Sequence, residues 1–160
     1  MQQKPKLERI ISGGQTGVDR AALDIGLELG IPIGGYCPKG RRSEDGTIPD
    51  KYPLTETITP NYDSRTEKNI IESDGTLILN IGPLADGTAY TLKMARRHRK
   101  AFLVLQLDEE TPDAVKKILD WLAANKIRIL NVAGPRESKV EGIHERSFDF
   151  LCKVLLGMNR

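Results

Sequence analysis

Short apolar runs alternate with longer amphipathic stretches along this chain, and that alternation argues for βα units and a parallel sheet. Strands are predicted at residues 7–12, 31–36, 76–81, 101–107 and 127–132. The first helix is predicted over 18–30, with Ala22, Leu23, Ile25, Gly26 and Leu29 at helical spacing and Gly30 as its stop. Further helices are predicted at 64–73, 87–99, 112–125 and 140–156. The fourth has a clear start, with Thr111 as N-cap, Pro112 at the first helical position and Asp113 in the first turn. The pattern is that of an α/β protein: an open parallel sheet of about five strands, order 2-1-3-4-5 favoured, with helices on both faces.

Residues 37–62 break the pattern. They carry Pro38, Pro49, Pro53 and Pro60, with little apolar periodicity. Structureless connections longer than about 12–15 residues are usually functional or disordered. Lys39, Arg41, Arg42, Glu44 and Asp45 load this one with charge, so it is read as a functional loop inserted into a single domain spanning 1–160. No internal repeat or low-complexity tract interrupts the chain.

Composition narrows the classes. A chain of 160 residues buries about 69% of its surface by the usual scaling, enough for one core. At 39% hydrophobic and 29% charged residues it lies away from the signature of disorder. The net charge of +2, from 24 basic against 22 acidic residues, is too balanced for general nucleic-acid binding. Cys37 and Cys152 form neither CxxC nor zinc-ligand spacing, which fits a reducing cytoplasm. The start, Met1 to Glu8, has no apolar signal-peptide stretch, and the apolar run from Ala101 to Leu105 is too short to cross a bilayer. Neither nucleic acid nor membrane is expected as a partner.

The chemistry concentrates at strand ends. The first strand runs into Ser12, Gly13, Gly14, Gln15, Thr16, Gly17, Val18, Asp19 and Arg20, a glycine-rich turn that opens a helix. Such a turn offers free N–H groups and a positive dipole end to a phosphate or carboxylate; the plain alternative is a tight βα turn. It matches the dinucleotide fingerprint at Gly14 and Gly17 only, with Ser12 at the first glycine position. The end of the second strand has Lys39, Gly40 and Arg41 where an acidic residue would hold a ribose, so a nicotinamide cofactor is not expected. No P-loop is present. A second glycine turn, 80–88, follows the third strand. Were those two strands neighbours, Gly13 to Gly17 would cradle an anion while Asp86, Gly87 and Thr88 line the opposite wall, with Lys39 and Arg41 as charge-assisted donors.

Other residues keep two readings. Arg65 and Asn69, at i and i+4, point into this crevice or form a solvated helix face. Arg136, after the fifth strand, is a phosphate partner or part of a helix-preceding turn. The basic run from Lys93 to Lys100 sits where a helix ends and complements its dipole. His98 and His144 are the sole histidines, so neither a histidine-rich metal site nor a Ser-His-Asp triad is easily assembled. Cys37 is a polarised thiolate or a small hydrophobe. Asp19, Glu44, Asp45 and Asp86 are acid–base candidates or ordinary turn residues. The sequence speaks for binding more than for turnover, with no catalytic or metal-ligating residue assigned.

Taken together, Ser12 to Asp24, Pro38-Lys39-Gly40-Arg41, Glu44-Asp45-Gly46, Arg65-Thr66 with Asn69, Ser73 to Thr76 and Asn131 to Arg136 resemble the putative molybdenum cofactor carrier protein family over nearly the whole chain. The resemblance implies a Rossmann-like homo-oligomer, usually a tetramer, that binds and shields the molybdenum cofactor, a phosphate-bearing pterin. On that reading the phosphate sits on the Gly13 to Gly17 turn, and Lys39, Arg41 and Arg136 offset its charge. The wider lysine decarboxylase-like superfamily, which the chain also resembles, includes nucleotide phosphoribohydrolases. Thr91 stands where their signature has its catalytic glutamate. A nucleotide hydrolase and a nucleotide-sensing module are the alternatives to a carrier.

Overall fold

The computed structural model describes residues 6–109 and 112–158. Thr111 and residues 1–5 lie outside the described residues, and with them the predicted cap and part of the N-terminal segment. Five helices form: α1 (Val18–Leu29), α2 (Tyr62–Glu72), α3 (Asp86–Arg97), α4 (Ala114–Ala124) and α5 (Ile143–Met158). The strands are β1 (Arg9–Ile11), β2 (Ile33–Gly34), β3 (Tyr36–Cys37), β4 (Arg42–Ser43), β5 (Gly46–Thr47), β6 (Thr55–Glu56), β7 (Gly75–Asn80), β8 (Ala101–Gln106) and β9 (Ile129–Ala133). The predicted helices and strands are present with ends moved by a few residues, except that the predicted strand 31–36 is split at Gly35 into β2 and β3, which join different sheets. Helix α1 stops at Gly30, which adopts the left-handed conformation.

β1, β2, β7, β8 and β9 make one wholly parallel sheet in the order β2-β1-β9-β7-β8. This corrects the expected order. The last strand does not join the edge; it lies between β1 and β7, pairing Ile10 with Leu130 and Leu77 with Val132. If β9 and α5 are read ahead of β1, the order becomes 3-2-1-4-5, the doubly wound order of a Rossmann sheet. The winding therefore reverses between β9 and β7.

The parallel sheet is covered on both faces, as crossover helices require. α1 packs on α5 and α5 on α4, while α2 packs on α3. Alternation along β7 sends Leu77 and Leu79 into the larger core, with Val18, Ile25, Ile118 and Phe150. Ile70, Met94 and Ala95 form a smaller core between α2 and α3. Full burial of these side chains contributes about 1.5–3 kcal/mol each.

Residues 37–62 fold into two ribbons, β3 parallel to β6 and β4 antiparallel to β5. They cover a third cluster of Leu23, Cys37, Ile48, Tyr52 and Leu54. Cys37 is fully buried there, and burial pushes its thiol pKa up. It is the small hydrophobe of the two readings.

Candidate functional site

In an open α/β sheet the natural crevice lies beyond the carboxyl ends of the strands where winding reverses. The cleft of this protein is there. Its volume is about 320 Å³, and its walls are the turn after β7, the turn after β9, the start of α2, and part of the turn after β1. Asp86, Gly87, Thr88, Arg65 and Arg136 all reach it, as do Gln15 and Asp19. The second glycine turn lines this crevice, whereas the first reaches it through Gln15 alone, with β9 between their strands.

Ser12, Gly13, Gly14, Thr16 and Gly17 fall outside the cleft lining. The first turn is closed by the protein's own groups. The Asp19 carboxyl accepts the Gln15 N–H at 3.2 Å and a hydrogen bond from Arg65 Nη1 at 3.4 Å, so one N–H of the turn already has an internal acceptor. A Cβ built on Gly13 would lie 1.7 Å from the Arg65 guanidinium, and one on Gly14 2.5 Å from Leu54. Gly17, at φ 80° and ψ −130°, would place a Cβ 2.3 Å from the Pro135 carbonyl oxygen. These glycines make room for neighbouring protein groups. Ser12 is fully buried and donates to the Asp19 carbonyl at 2.9 Å. Thr16 donates to Glu44 and accepts the Glu137 N–H at 3.1 Å.

The basic residues expected to offset a guest's charge divide. Arg20 turns away: it holds Asp45 with both terminal nitrogens at 2.6 and 2.8 Å, Ser43 at 3.0 Å and the Gly14 carbonyl at 3.1 Å. Through hydrogen bonds from Arg20 and Ser43, Asp45 is held well below the usual carboxylate range. Arg41 is likewise absorbed, donating to the carbonyls of Ile48, Leu54, Pro49 and Tyr52; it ties the insertion to itself. Lys39 and Gly40 are exposed on the insertion, outside the cleft lining. Arg65 and Arg136 do line it, so for Arg65 the crevice reading holds over a solvated face. Its partner Asn69 instead exchanges hydrogen bonds with the Tyr36 backbone, at 2.8 and 3.0 Å.

Asp19 is the acid of the cleft floor. Burial raises its pKa, against the lowering pull of Arg65 and the Gln15 N–H. Asp86 pairs with Lys139 at 3.5 Å and has φ 48°, a strained value for a non-glycine residue at the cleft's rim. The first turn of α3 is open: Ala85 supplies no side-chain cap, and no protein atom lies within 4 Å of a Cβ built on Gly87. Thr91 lines the cleft but its hydroxyl donates to the Gly87 carbonyl at 2.9 Å. Glu44 is pushed up by burial, yet hydrogen bonds from Ser138 and Thr16 and the field of Arg136 outweigh this and lower its pKa. Buried Gln15 Oε1 and Arg65 Nε have no partner among the described residues.

Sequence reasoning missed Tyr62, Asn80, Gly134 and Lys139, which the cleft includes. Gly134 lets the turn after β9 press on the strand beside it, since a Cβ there would meet the Leu79 carbonyl oxygen at 2.2 Å. The available signal was the Ala133-Gly134-Pro135-Arg136 segment, had β9 been placed at the winding reversal. Among the described residues no group of three or more His, Cys, Asp or Glu is placed to hold a metal ion, and no helix is long and apolar enough to cross a membrane.

A parallel sheet in this winding order, with a polar cleft at its reversal, defines a Rossmann-like α/β protein whose chain begins one βα unit late. The match with known families is specific on this point. Residues 10–155 match the circularly permutated YpsA SLOG family, and the chain belongs to it. It is also similar, at 45% identity and a TM-score of 0.93 over 95% of this chain and 97% of the other, to the solved structure named "Putative molybdenum carrier protein" from Syntrophus aciditrophicus SB. No curated protein matches the chain.

Proposed function

We propose that this protein is a carrier that binds a phosphate-bearing pterin, the molybdenum cofactor, in the cleft between the β7 and β9 turns. The observation that carries the reading is that Arg65, Arg136 and Lys139 line one cleft with the uncapped first turn of α3 at the winding reversal. Uncapped N–H groups at a helix start favour an anion, and guanidinium and ammonium groups add charge-assisted hydrogen bonds. The phosphate is therefore assigned to Gly87, Arg136 and Lys139, in place of the Gly13 to Gly17 turn. The ring system then lies toward the floor, where Gln15 Oε1 and Arg65 Nε need partners. The similarity to a protein named as a molybdenum carrier supports the cargo.

Holding such a cargo requires orientation and exclusion of water rather than turnover. Pro83, Ala85, Ala133 and Val140 supply the apolar part of the wall. The cofactor's own dithiolene holds the metal, so the protein has to supply no metal ligand. The experiment is to mix the purified protein with molybdenum cofactor and follow cofactor oxidation and co-elution on gel filtration. Slowed oxidation with co-elution is expected; unprotected cofactor that elutes free of the protein overturns the reading.

A further inference from the structure

The Tyr62 ring gathers more positive charge than the carrier reading uses. Arg42 lies with its guanidinium carbon 5.0 Å from the ring centroid, and Arg65 and Arg136 each at 5.7 Å. Three separate segments deliver them: β4 in the insertion, α2, and the turn after β9. Only Arg65 has an ion pair, with Asp19. Arg42 and Arg136 form none among the described residues, and their side chains donate no hydrogen bond there. The nearby acid Glu44 is engaged with Thr16 and Ser138.

An aromatic face attracts one guanidinium, but three around one ring repel one another. Each also retains N–H groups in a rigid fork suited to oxyanions. We infer that Tyr62, Arg42, Arg65 and Arg136 form an oxyanion subsite at the outer wall of the cleft, built for a tetrahedral dianion. The dianion is either a free inorganic oxyanion or the oxyanion end of a larger ligand. Tyr62 orients the forks, Arg65 supplies the inner donors, and Arg42 and Arg136 close over the anion from the insertion and the β9 turn. The subsite shares Arg65, Arg136 and Tyr62 with the proposed cofactor cleft and adds Arg42, so titration with inorganic ions can succeed where cofactor binding fails.

The test is isothermal titration of the full chain at low ionic strength with sulfate, molybdate and phosphate, and with ribose 5-phosphate as an organic monoester. One dianion per chain is expected. Arg42→Gln and Arg136→Gln should each weaken it by about fivefold or more, because each removes charge-assisted donors. Tyr62→Leu should weaken it and Tyr62→Phe retain it, whereas Lys116→Gln, remote on α4, should leave it unchanged. Circular dichroism and the thermal midpoint check that each variant folds. Tighter binding of the inorganic ions identifies a free oxyanion as the guest, and tighter binding of the monoester identifies the end of a larger ligand. No binding by the unmodified protein up to about 10 mM overturns the subsite, as does an affinity unmoved by Arg42→Gln. Affinity that responds only to Lys139→Gln places the ion on α3 and also overturns it.

Discussion

Replacing Gly17 and Gly87 by alanine separates two reasons for a glycine. At Gly17 the backbone has φ 80° and ψ −130°, and the added Cβ would sit 2.3 Å from the Pro135 carbonyl oxygen and 2.9 Å from the Arg136 carbonyl carbon. Both obstacles are backbone, so the turn after β9 has to move. A strained conformation costs about 1–3 kcal/mol and overpacking about 1–3 more. The sum is a large part of the 5–15 kcal/mol typical of a domain. Gly87 has no atom within 4 Å of its Cβ position and lies in the first turn of α3, where alanine stabilises by up to about 1 kcal/mol. With a urea slope of roughly 1–3 kcal/mol/M, the midpoint for Gly17→Ala should fall by roughly 1–3 M, whereas that for Gly87→Ala should hold or rise. Gly87→Ala should nevertheless weaken cofactor binding, because its methyl group enters the space given to the phosphate. A Gly17→Ala protein as stable as the unmodified chain would refute the packing argument, and full cofactor affinity in Gly87→Ala would refute the assignment of the phosphate.

Arg41→Met removes four donations to loop carbonyls and should destabilise by about 2–4 kcal/mol, with faster proteolysis within 37–62. Lys39→Glu, outside the cleft lining, should leave cofactor affinity within about twofold, since an exposed charge at a distance is screened by salt; a tenfold loss would return Lys39 to the site. For Asp19 the folded pKa is raised by burial above its ordinary 3.8, so the folded state binds its proton more tightly than the unfolded chain. That stability is fully present below pH 3.8 and is lost as pH rises through the folded value. Asp19→Asn should therefore gain on the unmodified protein as pH climbs from about 4, by at most about 1.4 kcal/mol per pH unit. Urea midpoints between pH 4 and 7 check this, and parallel curves would contradict it.

The periodicity of the chain is enough to find the strands of the main sheet and the helices, because a two-residue and a 3.6-residue repeat follow from backbone geometry alone, whereas the two-residue strands β4, β5 and β6 are too short to show one. It does not say which strands are neighbours. β9, with its apolar Ile129, Leu130 and Val132, reads the same whether it ends the sheet or splits it. The glycine turn posed a similar ambiguity. Gly13 is glycine because Arg65 leans on it, and that contact joins residues with α1, β2, the whole insertion and the start of α2 between them. Arg41 reads as an anion donor by composition, yet its acceptors are carbonyls, which carry no signature in the sequence. Arg136 and the 86–88 turn were legible because residues at the carboxyl ends of parallel strands share one rim whatever the strand order.

That last regularity explains how the site withstands the rearranged order of the chain. In a parallel sheet every strand delivers its following turn to the same edge, so carrying one βα unit from the start of the order to its end renumbers the strands but leaves the central turn and its edge as they are. With β9 at the reversal, its turn faces the β7 turn directly. The β1 turn lies one strand outward and is the surface on which Pro135 and Arg136 rest, through the Val18 N–H to Pro135 carbonyl hydrogen bond of 3.2 Å and the close approach at Gly17. Of its glycines, Gly17 makes room for that central turn, whereas Gly13 and Gly14 make room for Arg65 and Leu54. The side that remains open is the one where α3 begins without a side-chain cap, and there Arg65, Arg136 and Lys139 line the cleft to which the proposed anion is assigned.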